Sequence, residues 1–207
     1  MKGEVASMKR IKFFEALLSR NAGNAKAFDR DLESKLSYRG TVLVSDASGF
    51  TRITRSRGII HFLSLLAQSY KISIPLVKSH QGVLIKSEAD NLIAHFSDHW
   101  SALRCALEIQ RAHSIRNSAL PEDEHFHLSI GMDHGPFLLL EDDAYGDAVN
   151  LAYKVGEDIA RPQEILITER LLQELKLDPS KFEGLTIIPQ GEREAGGLKV
   201  ELHAVSW

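Results

Sequence analysis

The stretch HFHLSIGMDHG, residues 125–135, constrains the fold more than any other part of the chain. Phe126, Leu128, Ile130 and Met132 alternate with His127, Ser129 and Gly131. A period of two sends successive side chains to opposite faces, so the segment reads as a half-buried strand. A sheet with an apolar face needs a second layer to cover it. The flanking sequence offers one. Trp100–Ile115 is amphipathic, with Leu103, Ala106, Leu107 and Ile109 on adjoining helical faces, and Asp147–Ile159 repeats Ala148, Ala152, Val155 and Ile159 at helical spacing.

The remaining segments extend this pattern. Thr41–Asp46 reads as a strand and Arg57–Ser79 as a helix with a kink or late break at Pro75. His80-Gln81-Gly82 is a turn, and Val83–Lys86 and Leu92–Phe96 are strands of a hairpin around Ser87–Asn91. Asn117–Glu124 is a polar loop, and Phe137–Leu140 reads as the hairpin partner of the alternating strand. Glu164–Thr168 is a strand, Glu169–Leu175 a short helix, and Leu185–Pro189 and Leu198–Val205 close the sheet. The first six elements run strand–helix–strand–strand–helix–strand, the order of the split βαβ, ferredoxin-like unit. The expected fold is α+β, with a mostly antiparallel sheet flanked by helices. Residues 1–40 are more charged and helical in texture, and read as a helical appendage ending near Gly40. Residues 41–207 form the main domain.

Bulk properties narrow the function. The chain has 207 residues, 43% hydrophobic, with a formal charge of -3. That is one good-sized domain with enough apolar residues for a core, and it lacks the basic footprint of a nucleic-acid-binding protein. A single cysteine, Cys105, makes neither an internal disulfide nor a thiolate cage, and its apolar helical neighbours make it a buried structural thiol. No segment reaches the roughly 18–20 uninterrupted apolar residues of a membrane span. The N-terminus lacks the long apolar core of a signal peptide. A cytoplasmic protein is expected.

The first strand ends in a carboxylate, Asp46, followed by Ser48-Gly49-Phe50-Thr51. Asp90 lies in the hairpin between the next two strands. In a split βαβ unit these two places are adjacent. Two carboxylates at one sheet edge repel unless a positive charge lies between them. Oxygen-only ligands suit magnesium or manganese rather than zinc. Each residue alone has a structural reading, Asp90 as a turn former and Asp46 as an acceptor for the backbone N–H groups of Ser48 or Gly49. Gly49 also permits close backbone approach, and successive N–H groups beside it can cradle phosphate.

Six stretches, VSDASGFTRI, KSEADNLIAHF, SALRCALEIQRAH, LSIGMDHGP, DAYGDAVNLAYKV and EILITERL, together resemble the class III nucleotidyl cyclases, the adenylate and guanylate cyclase catalytic domain. They occur in the family's order over about residues 41–175. The resemblance implies a head-to-tail homodimer with two active sites between the chains and two Mg²⁺ or Mn²⁺ ions per site. It makes Asp46 and Asp90 the metal carboxylates, puts Lys86 and Asp143 where the purine is read, and makes Asn150 the residue that orients the ribose. Lys154 falls where the family usually has an arginine that stabilises the transition state. Asn150 and Lys154 stand four residues apart and share a helix face.

Adenine offers an acceptor at N1 and a donor at N6, whereas guanine reverses both. A lysine donor and an aspartate acceptor therefore suit adenine, and a buried mismatch against guanine discriminates strongly. The expected substrate is ATP. Its 3′-oxygen would attack the α-phosphorus, releasing pyrophosphate and forming 3′,5′-cyclic AMP, with two metals activating the hydroxyl and neutralising the phosphates. Three features depart from the family. Lys154 lacks the planar fork of arginine, Ala89 stands where glycine is usual in the hairpin, and Asp133 stands where histidine is common. In the C-terminal stretch QGEREAGGLKVELHAV, Lys199 and Arg193 are both candidates for the triphosphate grip. A catalytically weak or inactive cyclase-homology domain, binding nucleotide or a partner in a regulatory role, is the alternative.

Overall fold

A computed structural model describes residues 8–206. Two helices come first, α1 (Arg10–Leu17) and α2 (Ala25–Leu36), followed by strand β1 (Ser37–Ser48). Helices α3 (Phe50–Arg57) and α4 (Ile59–Ser79) lead into the hairpin β2 (Val83–Glu88) and β3 (Asn91–Phe96). Helix α5 (His99–Ser118), the long strand β4 (His127–Leu139), the two-residue β5 (Ala144–Tyr145) and α6 (Asp147–Tyr153) follow. A π-helical turn, Lys154–Ile159, continues α6. Strand β6 (Ile165–Thr168), α7 (Glu169–Leu175), β7 (Thr186–Ala195) and β8 (Leu198–Ser206) complete the chain.

The strands form one sheet in the order β2-β3-β1-β4-β6-β8-β7, with β5 paired to β4. Among the described residues only the β4–β6 pair is parallel. The fold is thus α+β with a mostly antiparallel sheet flanked by helices. The alternation of residues 126–132 maps onto the two faces. Phe126, Leu128, Ile130 and Met132 join Leu43, Phe62, Leu65, Trp100, Leu103 and Ile109 in the larger core under α4, α5 and α7. Val42, Val44 and Ile93 face the other way and pack with Phe137, Ala148, Val149 and Ala152 under α6. Burying one such aliphatic side chain stabilises the fold by roughly 1.5–3 kcal/mol. Cys105 is in the larger core, where burial pushes its thiol up to about 12 and so keeps it unreactive.

Four local expectations need correction. Phe137–Leu140 is not a returning strand, because β4 runs straight through Gly135-Pro136 to Leu139. Its neighbour β1 begins at Ser37, so Ser37–Gly40 pair with Gly135–Leu138 and hold that half extended. Gly40 therefore lies inside β1 rather than ending the appendage; a Cβ there would come within 2.6 Å of the Phe96 carbonyl oxygen. The helix expected over Arg57–Ser79 is present as α4, and Gly58, whose φ of 87° is left-handed, separates it from α3, a short helix over Phe50–Arg57 that was not expected. Pro75 is accommodated within α4. Helix Asp147–Ile159 changes pitch at Lys154.

That change of pitch has a packing cause. Gly156, inside the π turn, lies directly on Gly131 of β4. A Cβ on Gly131 would stand 2.2 Å from the Gly156 nitrogen and 2.4 Å from the Ala152 carbonyl oxygen. A Cβ on Gly156 would meet the Gly131 nitrogen at 2.9 Å and the Val44 carbonyl oxygen at 3.0 Å. Backbone therefore lies on backbone, which only a glycine pair permits. The Ala160 N–H donates to the Val155 carbonyl at 2.8 Å, the i to i−5 pattern of the wider turn.

Helix α4 is long and apolar enough, by length and composition alone, to cross a membrane, with a mean hydropathy of 1.2. One side of it, Phe62, Leu65, Leu66, Ser69, Ser73 and Val77, is buried against the rest of the domain.

Candidate active site

The end of β1 sets the first cleft. The last β1–β3 pair is Ser45↔Leu92, so Asp46 is one residue beyond it, beside the β2–β3 turn that carries Asp90. Asp46, Asp90, Ser48, Gly49, Phe50 and Thr51 all line one cleft of about 550 Å³, together with Ser129 and Glu157. Gly49 has a φ of 93° and is the N-cap of α3. No side chain caps that helix, so its first N–H groups are left for another acceptor. Burial pushes the Asp46 carboxyl up to about 7, and the neighbouring charges of Asp90, Glu157 and Asp158 push in the same direction. Clustered carboxylates of this kind fit a hard divalent cation, with oxygen donors from Asp46 and Asp90. Among the described residues no group of three or more His, Cys, Asp or Glu has the spacing of a protein-only metal cage.

The hairpin turn is strained. Ala89 adopts φ 51°, the left-handed conformation that a glycine would take without penalty.

A second cleft, of about 400 Å³, is lined by Lys86, Asp143, Tyr145, Asn150, Tyr153 and Arg10, among others. Lys86 Nζ pairs with Asp143 Oδ1 at 3.0 Å and with Glu88 Oε2 at 2.6 Å. The Asp143 side chain is only 4% exposed. Its burial favours the neutral acid, yet the bonds from Lys86, the Ala144 N–H and the Tyr145 hydroxyl outweigh this and hold it below the usual carboxylate range. Burial likewise opposes charge on Lys86, and its pairs with Glu88 and Asp143 raise it above its ordinary value. The Lys86–Asp143 pair is therefore formed, with both groups favoured in their charged states.

Lys154 lines neither of these two clefts. Its Nζ pairs with Asp158 Oδ2 at 3.0 Å on the exposed side of the helix. The tip of the β7–β8 hairpin lies over it. A Cβ on Gly196 would be 3.8 Å from Lys154 Cε and 3.9 Å from Asn150 Nδ2, so Asn150 and Lys154 do share one face. Lys199 pairs with Glu192 at 2.7 Å, and Arg193 donates to the Glu192 carbonyl at 3.3 Å. Neither lines the two clefts. Asp133 has a structural part. It is fully buried and accepts from Thr168 Oγ1 at 2.5 Å and from Arg170, which also binds Asp147 at 2.6 Å, so that α7 is tied to the start of α6.

Several lining residues escape a reading of the sequence alone. Glu157 and Ser129 reach the first cleft through the π turn and the β1–β4 register, which no spacing announces. Tyr145 and Tyr153 line the second. Arg10 comes from α1, far away in sequence. Asp158, four residues after Lys154, is the one partner whose spacing could have been noticed.

Comparison with known proteins places this geometry. The profile of the family described as the adenylate and guanylate cyclase catalytic domain matches residues 33–205. The curated protein "Putative adenylate cyclase 3" of Rhizobium meliloti is 28% identical over 167 residues, which is 80% of this chain and 27% of that protein. The chain thus spans about a quarter of that relative. Among solved structures, an adenylate/guanylate cyclase/hydrolase from Silicibacter pomeroyi superposes with a TM-score of 0.71 at 24% identity, covering 81% of this chain and 96% of the other. The adenylyl cyclase CyaB from P. aeruginosa gives a TM-score of 0.68 at 17% identity, covering 83% and 96%. These likenesses establish the shared fold, and the family match extends over most of the chain. The chain belongs to the adenylate and guanylate cyclase catalytic domain family.

Proposed function

We propose that the protein is an adenylate cyclase, converting ATP to 3′,5′-cyclic AMP and pyrophosphate at the interface of a homodimer. The observation that carries this is the division of labour within one chain. The carboxylates Asp46 and Asp90 line one cleft, and Lys86, Asp143 and Asn150 line another that shares no residue with it. A head-to-tail pair of chains brings the carboxylate cleft of one against the base cleft of its partner, as the family resemblance implies.

Asp46 and Asp90 would hold Mg²⁺ or Mn²⁺. When bound, such ions lower the pKa of the ribose 3′-hydroxyl and neutralise the phosphates. The chain's own residues supply the positioning. Lys86 donates to adenine N1, and Asp143 accepts from the N6 amino group. Guanine would set donor against donor and acceptor against acceptor, leaving buried polar groups unpaired. Asn150 orients the ribose from the exposed face of α6, which helps convert the attack into a near-intramolecular step. The uncapped N-terminus of α3 offers N–H groups to phosphate oxygens.

A second reading is favoured by one observation. Lys154 is turned to Asp158 rather than into either cleft, which fits a domain of low activity that binds nucleotide in a regulatory role.

The deciding experiment measures cyclic AMP and pyrophosphate from ATP with Mn²⁺, with GTP in parallel and Asp46→Asn as control. Product from ATP that disappears in the control supports the cyclase reading. Equal product from GTP refutes the Lys86–Asp143 code. Absence of product from a folded dimer transfers the case to the regulatory reading.

A further inference from the structure

Three close donors occupy the Asp143 carboxylate, and a guanidinium faces its remaining acceptor position. A carboxylate offers about four acceptor positions. On Oδ1, Asp143 receives the Ala144 N–H at 2.9 Å and Lys86 Nζ at 3.0 Å. On Oδ2 it receives the Tyr145 hydroxyl at 2.9 Å and faces the Arg10 guanidinium, with Nε at 3.6 Å. A purine amino group needs one of these positions. Three of the four groups come from the β2–β3 hairpin or from the chain around β5, next to Asp143 in the fold. The fourth, Arg10, is the longest contact, and its side chain is 54% exposed.

Arg10 does not drift there on a loose tail. Its backbone N–H donates to Asp142 Oδ1 at 2.7 Å, and the Glu141 N–H donates to the Met8 carbonyl at 3.0 Å. The Phe13 ring stacks on Tyr145 at 5.7 Å. Phe13 also packs with Leu32, Leu36 and Leu140. Helices α1 and α2 therefore clamp the β4–β5 hairpin that presents Asp143. The contact is built by the fold, and its guanidinium is aimed at the acceptor a base must use.

We propose that Arg10 competes with the nucleotide base for Asp143, so that the N-terminal helices set nucleotide affinity. This rests on the assignment of Asp143 to base recognition. The Arg10–Asp143 pair is part of the ground state of the empty pocket, and the base must displace it. Removing Arg10 should tighten binding of a base that uses Asp143. Simple electrostatics predicts the opposite sign, since losing a cation beside a polyanion weakens attraction. The two explanations therefore separate cleanly.

The test is equilibrium binding of a fluorescent ribose-labelled ATP, with Mg²⁺, to the full chain carrying no change, Arg10→Ala, Asp142→Asn or Lys86→Ala. Tripolyphosphate, which has no base, serves as competitor. Arg10→Ala is expected to bind the nucleotide about fivefold tighter, the scale of a partly exposed ion pair, with no gain for tripolyphosphate. Asp142→Asn, which weakens the backbone tether of α1, should move in the same direction. Lys86→Ala should bind more weakly. Equal or weaker nucleotide binding by Arg10→Ala, with Lys86→Ala still impaired, overturns the competition and leaves the base site standing. Loss of all binding in every form, the unchanged chain included, overturns the base-site assignment and this inference together.

Discussion

Gly131→Ala tests whether the seating of α6 on the sheet governs the site. The added methyl would lie 2.2 Å from the Gly156 nitrogen, 2.4 Å from the Ala152 carbonyl oxygen and 2.7 Å from Gly156 Cα. All three are backbone atoms, so no side chain can swing aside. Ordinary contact begins near 3.4 Å, and 3.4 less 2.2 leaves 1.2 Å by which the helix must retreat. Overpacking of this kind costs about 1–3 kcal/mol. For a domain of this size each kcal/mol lowers the unfolding midpoint by about 2–4 °C. The expected fall is therefore roughly 2–12 °C. Asn150 rides on the same helix, and a displacement of about 1 Å can cost about a hundredfold in rate. Thermal unfolding and cyclase turnover are measured together. Gly135→Ala is the control, because its Cβ would first meet Ala148 at 3.4 Å, an ordinary contact. A variant at Gly131 with unchanged midpoint and turnover would show that the backbone contact carries no constraint, and the reasoning fails.

Three further outcomes are expected. Burial alone lowers the His95 imidazole to about 4 from 6.5. Its folded pKa lies below its unfolded one, so the stability it leaves in place is complete above pH 6.5 and is lost as pH falls towards 4. The loss amounts to about 3 kcal/mol at the bottom of that window. Urea midpoints between pH 7 and 4.5 should fall less steeply in His95→Leu, and parallel curves would refute the assignment. Ala89→Gly relieves the left-handed backbone at φ 51° and should raise stability by about 0.5 kcal/mol once the greater freedom of unfolded glycine is deducted; a lower urea midpoint would contradict the strain. Lys154→Arg should raise turnover about tenfold, because a guanidinium grips two phosphate oxygens where an ammonium grips one. A rise in KM with no gain in kcat would argue against a transition-state role for that position.

Much of the sheet was legible because its segments obey period two. The alternation at Phe126–Met132 identified the face of the larger core, and the β2–β3 hairpin lay within two residues of its expected ends. What misled was local chemistry overruled by long-range pairing. Gly135-Pro136 looks like a turn, yet twelve consecutive β1–β4 pairs hold it straight. Gly40 looks like a boundary, yet it is needed where the Phe96 carbonyl approaches. The candidate site shows the same division. Asp46 and Asp90 were placed together by topology, and Lys86 and Asp143 do meet. Arg10 was invisible because nothing in its surroundings hints at a partner more than 130 residues away. The partial turning of Lys154 towards Asp158 depends on a side-chain choice that sequence spacing permits but does not dictate.

The α6 helix and its π turn reach both clefts. Asn150, on the α-helical half, lines the one with Lys86 and Asp143, and Glu157, on the wider half, lines the one with Asp46 and Asp90. The glycine contact seats both halves on the same strand, with Ala152 of the α-helical half and Gly156 of the wider half both against Gly131. In a head-to-tail dimer, the two clefts of one chain belong to two different active sites. Occupation of the first site would then reach the second through this one helical element. By linkage the effect must run equally in both directions, and it would be read as a Hill coefficient different from one in nucleotide binding.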